Sequence, residues 1–474
     1  MHLPPPETTG LFHIVGIGGI GMSAIAEVMH TRGYRVQGSD LKDGPNLTRL
    51  REHGIDCIIG HDPGNVEGAS YLVISSAVKA GNPEYEAARE RGIPIIRRAE
   101  MLAELMRPCT TVSVTGTHGK TTTTSLVADL LYGGGLDPTV ITGGIINAWG
   151  TNARIGQGEW MVVEADESDG TFLKLPTQIG VITNLDPEHM DFWESEEVLY
   201  QAFEQFIESI PFYGTVVACI DHPVVRGLIA ALGGAENGRR ILTYGVSRSA
   251  DIRLSTCGPI TPPRSTSGRI GRAGGAREIN DLTLPALGHY NALNAIAALA
   301  VATEAGVGDD MIRTVLANFS GVKRRFTRVG EWQGVAIYDD YAHHPVEIAA
   351  VLRGANAAGN GRIVAVMQPH RYTRLQALFN DFSACFDDAD VVILTPVYSA
   401  GEAPIPGIDR DELAAGLSAT AMRKVLMVED ADSLAVTVAS VVTEGDLVVG
   451  LGAGTITDWI NALPAKLATQ GGAS

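Results

Sequence analysis

Residues 111–122 read TVSVTGTHGKTT, and this stretch decides the fold of the 474-residue chain. It begins as a short apolar strand, continues as a glycine loop, and is followed by a helical pattern from about Ser125. Such a strand, loop and helix form a phosphate cradle, because loop N–H groups and the helix dipole both attract an anion. Lys120 is placed to contact β- and γ-phosphates, and Thr121 to offer its hydroxyl to Mg²⁺. The stretch therefore predicts a P-loop that binds ATP.

The predicted loop departs from the standard pattern in one respect. It is two residues shorter, since Val114 stands where the first glycine is usual. A glycine turn that merely precedes Lys-Thr is the alternative, but the flanking strand and helix favour the phosphate site. The residues that we expect to bind ATP phosphates are Gly116, Thr117, His118, Gly119, Lys120, Thr121 and Thr122.

Two further strands of this section end in polar residues. The run EADESD, residues 164–169, follows one apolar strand, and NLDPEHMD, residues 184–191, follows another. Carboxylates crowded at a strand end repel one another unless a cation shares the site, and Mg²⁺ prefers oxygen ligands. A solvated acidic loop is the alternative for the first run. His189 can ligate a metal through its neutral imidazole, although a lone histidine is more often structural.

The N-terminal section carries GIGGIG, residues 16–21, directly after a predicted strand. A second stretch, YRVQGSD at residues 34–40, is expected to follow a second strand. It ends in an acid, Asp40, at about the distance expected for a contact to a ribose hydroxyl. Taken alone, this dinucleotide fingerprint proposes an NAD enzyme. A single βαβ half needs only a diphosphate and a ribose, however, and UDP supplies both. The candidate residues are Gly18, Gly19, Gly21 and Asp40.

The last third of the sequence holds three more candidate clusters. Asn291 and Asn294 lie three apart at a helix start, where they suit the edge of a purine ring or simply cap the helix. The runs DDYAHHP, residues 339–345, and QPHRYTR, residues 368–374, each follow a strand. Their arginines can hold a carboxylate through paired hydrogen bonds, or be ordinary surface residues. GLGAGT, residues 450–455, is interpreted as a tight turn because no lysine follows it.

Composition excludes several classes of function. The chain is 45% hydrophobic and 19% charged, with 36 basic and 54 acidic residues and a net charge of −18. A field of that sign repels nucleic acid and anionic membrane, so we expect neither as a partner. No run approaches the roughly 20 apolar residues of a membrane span, and the start lacks a signal-peptide pattern. The five scattered cysteines favour reduced thiols and a cytoplasmic location over disulfides or a zinc site.

The organisation is that of a parallel α/β protein with more than one domain. Short β-branched runs alternate with helical patterns, and 474 residues are too many for a single core. Changes of character predict three domains, residues 1–107, 108–325 and 326–474. Within the second of these, the Gly/Arg/Ser-rich stretch at residues 264–277 is interpreted as a hairpin tip or loop and not as a binding surface.

Over its whole length the chain resembles the Mur ligases of peptidoglycan synthesis. The resemblance rests on six motifs in the family's order: residues 16–23, 115–122, 164–169, 184–191, 339–345 and 368–374. It implies a Rossmann-like N-terminal domain that binds a UDP-sugar, a central P-loop ATPase domain, and a Rossmann-like C-terminal domain that delivers an amino acid. It also favours UDP over NAD at the first glycine loop. We see no candidate for the carbamylated lysine that several members carry.

The same resemblance implies roles for individual residues. Mg²⁺ would be held by Glu164 and His189, with Thr121 beside the bound phosphate. Further contacts to ATP are implied for Asn291, Asn294, Arg325 and Asp340. The incoming amino acid would be surrounded by His343, His370, Arg371 and Arg374, and Lys120 and His343 would be the catalytic residues.

The activity that the resemblance implies is ATP-dependent amide-bond formation. L-alanine would be joined to the lactyl carboxylate of UDP-N-acetylmuramate through an acyl phosphate, with Mg²⁺ as cofactor. One alternative is a murein peptide ligase, for which the amine is a tripeptide. A remote alternative is an NAD-dependent oxidoreductase, which leaves the P-loop and the acidic run unexplained. A non-catalytic nucleotide-binding regulator is disfavoured by the joint presence of Lys120, Glu164 and His189.

Overall fold

The computed structural model describes residues 3–233, 238–254, 279, 282–286, 288–357, 361–420 and 424–470. The chain forms two compact units, the first mainly from residues within 1–255 and 293–319, the second mainly from residues within 281–292 and 320–474. In the described ranges, no helix combines the length and the apolar character needed to cross a bilayer. The Gly/Arg/Ser-rich stretch at 264–277 and Cys257 lie outside these ranges, and the four described cysteines are free thiols, as expected.

The first unit begins with a parallel sheet in the strand order β3-β2-β1-β4-β5. Its strands are β1 (Leu11–Val15), β2 (Val36–Asp40), β3 (Asp56–Ile59), β4 (Ala69–Ile74) and β5 (Ile95–Arg97). Its helices are α1 (Ile20–Thr31), α2 (Pro45–Glu52), α3 (Pro83–Glu90) and α4 (Arg98–Met106). Residues 34–40 were expected to follow a second strand. Instead, Val36 to Asp40 of this stretch form the strand β2. The strand order reverses beside β1, and ligands of open α/β sheets bind at such a point.

A second sheet in this unit has the order β13-β12-β11-β10-β6-β9-β7-β8, with β8 antiparallel to β7. Its strands are β6 (Thr110–Thr115), β7 (Thr139–Ile146), β8 (Thr151–Arg154), β9 (Trp160–Glu164), β10 (Ile179–Ile182), β11 (Thr215–Cys219), β12 (Arg240–Gly245) and β13 (Ile252–Arg253). The helices are α5 (Lys120–Gly133), α6 (Met190–Trp193), α7 (Glu196–Ser209), α8 (Pro223–Ala231), α9 (His289–Glu304) and α10 (Asp309–Ala317). Because β6 lies between β9 and β10, the three predicted polar strand ends are neighbours.

Helix α5 begins earlier than its sequence suggests. We expected the helical pattern from about Ser125, but the helix starts at Lys120. A run of four threonines is unfavourable for a helix because β-branched side chains lose rotamer freedom. Here Thr124 donates to the Lys120 carbonyl and Ser125 to the Thr121 carbonyl, both at 2.8 Å. Burial of the threonine run against the sheet therefore outweighs its low helix propensity.

One hydrophobic core joins the two sheets of the first unit, since it includes residues of α1 and α4 and residues of β7, β9 and β10. Polar contacts accompany it: Arg49 Nη1 donates to Thr151 Oγ1 at 2.9 Å, and Asn152 Nδ2 donates to the Ile20 carbonyl at 2.8 Å. The N-terminal and central sections are thus packed into one compact unit. The domain limits at residues 107/108 and 325/326 remain predictions.

The second unit contains a sheet in the order β14-β15-β19-β16-β17-β18, parallel except for the edge strand β14. Its strands are β14 (Thr327–Trp332), β15 (Val335–Asp340), β16 (Ile363–Met367), β17 (Val391–Leu394), β18 (Lys424–Met427) and β19 (Leu447–Leu451). The helices are α11 (Pro345–Asn356), α12 (Tyr372–Ala377), α13 (Phe379–Ala384), α14 (Arg410–Thr420), α15 (Ala431–Val441) and α16 (Ile456–Gln470). The predicted turn at 450–455 connects β19 to α16.

Candidate active site

The glycine loop between β6 and α5 needs its glycines for both conformation and space. Gly116 has φ +122° and Gly119 has φ +83°, values that side chains disfavour. A Cβ at Gly116 would lie 2.3 Å from Thr183 Oγ1, and one at Gly119 would lie 2.7 Å from Asn294 Oδ1. The loop backbone therefore approaches β10 and α9 more closely than any other residue would permit. Asn294, a predicted ATP contact, lies beside the loop.

Lys120 is held by an ion pair inside this loop. Its Nζ lies 2.7 Å and 2.9 Å from the two oxygens of Glu167 and donates to the Gly116 carbonyl at 2.8 Å. The lysine side chain is 13% exposed and that of Glu167 only 2%. Burial disfavours the ammonium, but the negative charges of Glu167 and Asp166 outweigh burial and raise the pKa of Lys120. The lysine is thus a fixed cation in the glycine loop.

Thr121, the second residue of α5, is hydrogen-bonded to Glu164, the last residue of β9. Thr121 Oγ1 donates to one Glu164 oxygen at 2.9 Å, while Thr142 Oγ1 and the Gly143 N–H donate to the other at 2.8 and 2.6 Å. The carboxylate is therefore oriented by three donors. Thr122, the next residue of the helix, is buried.

His189 lies in a second group of ligands, with Glu167 and Glu188. Its Nε2 is 3.9 Å from Glu167 Oε1 and 3.8 Å from Glu188 Oε2, and the three donor atoms lie within 4.8 Å of one another. His189 adopts φ +57°, a backbone conformation that costs free energy and persists where surrounding contacts enforce it. An oxygen-rich donor set of this kind fits a hard cation such as Mg²⁺. The sequence did not single out Glu167 or Glu188.

Contacts with the end of β10 fix the loop from the other side. The His118 N–H donates to Asn184 Oδ1 at 2.7 Å, and the Asp186 N–H donates to Thr117 Oγ1 at 2.8 Å. His222, which the sequence analysis missed, places Nε2 3.2 Å from Asp186 Oδ1. No spacing rule connects His222 to the P-loop, because it follows a different strand.

In the N-terminal section, the side chain of Asp40 is hydrogen-bonded to the glycine loop itself. Asp40 Oδ2 accepts the Gly18 N–H at 3.0 Å, and a Cβ at Gly18 would lie 2.2 Å from Leu47 Cδ1. Gly19 precedes α1, and a Cβ on Gly21 would lie 3.1 Å from an Arg98 nitrogen. The glycines thus permit close approach, while Asp40 holds the loop in shape.

In the second unit, Asp340 is the last residue of β15 and is buried. It accepts the Phe326 and Ala342 N–H groups at 2.7 Å each. Burial raises its pKa to about 6, against the opposing charge of Arg325. Arg325 itself lies 5.3 Å above the Tyr341 ring. Asn291, near the start of α9, belongs to this unit although the rest of that helix belongs mainly to the first, and it hydrogen-bonds the hydroxyl of Tyr290.

The two histidine-containing runs meet in this unit. The rings of His343 and His370 are 5.7 Å apart, and His370 stacks on Tyr398 at 5.3 Å. Burial, followed by the positive charges of His343 and Arg374, lowers the pKa of His370 to about 4. The Nδ1 of His343 lies 3.0 Å from the Tyr341 carbonyl oxygen. His370 is therefore a neutral ring at ordinary pH.

The arginines of the same cluster are held differently. Arg371 has φ +69°, and its Nε lies 2.5 Å from Glu402 Oε1. The Thr373 hydroxyl and N–H also donate to Glu402, and these bonds lower the pKa of Glu402 to about 2 although partial burial opposes the shift. Arg374 Nη1 is buried and donates to no acceptor within the described ranges. A buried donor without an acceptor is suited to a ligand carboxylate. The sequence analysis missed Tyr398 and Glu402.

Fold and site together define a class of protein: an ATP-using enzyme of parallel α/β modules, with a P-loop beside carboxylates at neighbouring strand ends. The chain belongs to the Mur ligase family. Three profiles match in chain order: "Mur ligase family, catalytic domain" at residues 11–109, "Mur ligase middle domain" at 114–302 and "Mur ligase, glutamate ligase domain" at 324–454. The predicted fold class is confirmed.

Individual relatives are similar over nearly the whole chain. The UDP-N-acetylmuramate–L-alanine ligase of Methylorubrum extorquens is 58% identical over 470 residues, which are 98% of this chain and 99% of that protein. The solved UDP-N-acetylmuramate-alanine ligase of Thermotoga maritima gives a TM-score of 0.79 at 27% identity, covering 97% of this chain and 100% of that one. A murein peptide ligase of Psychrobacter arcticus gives 0.67 at 21% identity, over 97% and 98%, and shares the fold.

Proposed function

We propose that this chain joins L-alanine to the lactyl carboxylate of UDP-N-acetylmuramate with ATP, as a step of peptidoglycan synthesis. The observation that carries the proposal is the glycine loop before α5, where Lys120 and Thr121 contact the carboxylates of Glu167 and Glu164, at and just after the end of β9. Relatives named for this reaction, including one 58% identical over 98% of the chain, supply the substrates. Because ATP is a cytoplasmic substrate, we place the reaction in the cytoplasm.

In the first step, the lactyl carboxylate attacks the γ-phosphorus of ATP, ADP leaves, and an acyl phosphate forms. Negative charge spreads over the transferring phosphoryl group, and a fixed cation at Lys120 stabilises it. The loop N–H groups and the N-terminus of α5 add partial positive charge at the phosphates. Asn291, Asn294, Arg325 and Asp340 are proposed as further ATP contacts.

The carboxylates near the loop are proposed to hold Mg²⁺. The residues that fit are Thr121 and Glu164 on one side, and Glu167, Glu188 and His189 on the other. A bound Mg²⁺ neutralises phosphate charge and orients the β- and γ-phosphates. The three donors to Glu164 keep its carboxylate in one orientation, which limits the reorganisation needed on ligand binding.

In the second step, the amine of L-alanine attacks the acyl carbon and phosphate leaves. Arg371 and Arg374 are proposed to bind the alanine carboxylate, since a guanidinium matches a carboxylate with two hydrogen bonds. His370, neutral at working pH, adds no competing charge. His343 is proposed to accept the ammonium proton before attack, because an imidazole titrates in the required range.

Phosphate release from ATP tests this proposal directly. With UDP-N-acetylmuramate present, L-alanine should stimulate release strongly, and glycine and L-serine less. The tripeptide L-alanyl-γ-D-glutamyl-meso-diaminopimelate is the comparison that identifies a murein peptide ligase, and its preferential use would contradict the proposal. Calorimetry with UDP-N-acetylmuramate and with NAD shows which of these two alternative ligands the first glycine loop binds. Tight NAD binding without a response to the UDP-sugar would also contradict it.

A further inference from the structure

A buried polar network in the N-terminal sheet has no part in the chemistry described above. At its centre is Glu84, which is fully buried in the first turn of α3. One oxygen of Glu84 lies 2.6 Å from Ser39 Oγ, 3.1 Å from His61 Nδ1 and 3.5 Å from His13 Nε2. Its other oxygen accepts from Asn65 Nδ2 at 2.5 Å. Four side chains from different parts of the sheet thus converge on one carboxylate.

Ser39 connects this network to the N-terminal glycine loop. The Ser39 carbonyl accepts the N–H groups of Gly16 and Ile17 at 2.8 and 3.0 Å. The next residue, Asp40, accepts the Gly18 N–H through its carboxylate at 3.0 Å. Three consecutive N–H groups of the loop therefore donate hydrogen bonds to two residues of β2, Ser39 and Asp40. The side chain of the first of these residues is bound to Glu84.

We propose that Glu84 is a positioning residue for the UDP-sugar, which fixes the loop at residues 16–18 through its hydrogen bond to Ser39. The inference rests on the proposed function of that loop as the UDP-sugar site. The loop leads into the N-terminus of α1 at Ile20, whose first N–H groups have no partner within the helix and would bind the diphosphate. A shift of those groups by even about 1 Å would weaken the binding. Because Glu84 has no exposed surface, it would act through Ser39 and not by direct contact with a ligand.

The charge state of Glu84 determines the direction of its hydrogen bond with Ser39. Burial alone would raise the pKa of Glu84, but the nearby His13 ring and the hydrogen bonds from Ser39 and Asn65 outweigh burial and lower it. An ionised carboxylate only accepts hydrogen bonds, so the single hydroxyl proton of Ser39 must point at Glu84. A short, charge-assisted bond of this kind is stronger than a neutral one. The rotamer of Ser39 is thereby fixed.

A folding role alone would also explain a buried network, so the test separates the two roles. Glu84→Gln and Ser39→Ala would be compared with Leu72→Ala, a fully buried residue of β4 with no polar contact to the loop. For each variant we would measure the melting temperature and the KM for UDP-N-acetylmuramate, ATP and L-alanine, together with UDP-sugar binding by calorimetry. Ser39→Ala removes one oxygen and serves where Glu84→Gln fails to fold.

We expect Ser39→Ala and Glu84→Gln each to raise KM and Kd for the UDP-sugar about tenfold or more, with KM for ATP and L-alanine within about twofold. The double variant should lose little more than either single variant, because both act through one path. Leu72→Ala should lower the melting temperature and leave UDP-sugar binding unchanged.

Wild-type UDP-sugar affinity in a Ser39→Ala variant, or additive losses in the double variant, would overturn the positioning role while leaving the proposed function intact. A wild-type chain that binds ATP but no UDP-sugar would overturn both.

Discussion

At the scale of single residues, the ion pair between Lys120 and Glu167 is expected to matter for both catalysis and the stability of the fold. Lys120→Ala should lower kcat by about 10²–10³-fold or more, because a charge aimed at the transferring phosphate is lost. It should also destabilise the fold by about 3–5 kcal/mol, since a buried carboxylate loses its partner. Phosphate release and urea unfolding would measure the two effects.

A paired variant separates stability from catalysis. Lys120→Met combined with Glu167→Gln removes both charges, so it should recover most of the lost stability and none of the activity. An exposed lysine of the same unit, Lys174, provides the matched control, and its alanine variant should change neither quantity. If Lys120→Ala turned over ATP at a near-normal rate, the assignment of the phosphate site would be wrong.

Arg371 and Arg374 are predicted to bind the alanine carboxylate. Arg371→Ala and Arg374→Ala should each raise the KM for L-alanine strongly, and the KM for ATP much less, because uniform binding of one substrate is lost. Arg353, with 78% of its side chain exposed in the same unit, is the matched control and should tolerate alanine. Equal changes in both KM values would place the amine site elsewhere.

His370 is predicted to stay neutral until the pH approaches 4. Burial and the nearby positive charges of His343 and Arg374 lower its pKa from 6.5 to about 4. Between these two values the unfolded chain binds a proton that the folded chain does not, so stability falls as pH decreases from about 6.5 to 4. Histidine NMR would give the pKa, and His370→Asn should flatten the pH dependence of unfolding. A pKa near 6.5 would contradict the buried environment.

The sequence indicated candidate residues for the site but not the side chains that contact them. Lys120, Thr121 and Glu164 follow from a loop and a strand end, features that are local in sequence. Glu167 lies in a run of four acids, and nothing local distinguishes the carboxylate that faces the lysine from those that do not. Glu402 and His222 come from other strands and required the fold.

At the scale of elements, the glycine loop and α5 act as one unit. Gly119→Ala should lower ATP affinity and stability, because Gly119 has φ +83° and an added Cβ would lie 2.7 Å from Asn294 Oδ1. Gly135 has a nearly equal φ of +79° with no atom within 4 Å of the same position. Gly135→Ala therefore gives the cost of backbone strain alone, about 1–2 kcal/mol.

The difference between the two variants isolates the effect of crowding Asn294. ATP titration and urea unfolding of both proteins would measure it. Equal losses of stability together with unchanged ATP affinity would show that the loop tolerates the extra carbon, contrary to the geometry.

Element boundaries were the weakest part of the sequence-based prediction. The strand before the P-loop was placed within one residue of β6, since an apolar run bounded by glycine is a strong pattern. The start of α5 was placed five residues late, because Thr121 to Thr124 are poor helix formers and their burial depends on tertiary contacts. The turn at 450–455 was predicted correctly from the missing lysine.

At the scale of the whole molecule, the two compact units should unfold separately in calorimetry. Val112→Ala should lower one transition and Val366→Ala the other, because these fully buried residues lie in the first and second unit. A non-hydrolysable ATP analogue with Mg²⁺ at about 100 times Kd should stabilise the unit that binds it by about 2.7 kcal/mol. The transition sensitive to Val112→Ala should respond more strongly.

A single transition that both variants lower would show instead that the units unfold cooperatively. The sequence predicted three α/β sections and their order. It did not predict that the first two share a hydrophobic core, because the residues that join them, such as Met101 in α4 and Ile141 in β7, read as ordinary core positions of their own elements.

For inhibitor design, the Lys120–Glu167 contact sets a requirement on compounds aimed at the phosphate loop. An anionic phosphate mimic draws the lysine toward itself and weakens its contact with a carboxylate that is only 2% exposed. Such a compound loses affinity in proportion to that disruption. A zwitterionic compound, with an acid for the lysine and a compact cation for the glutamate, would replace both halves of the contact at once.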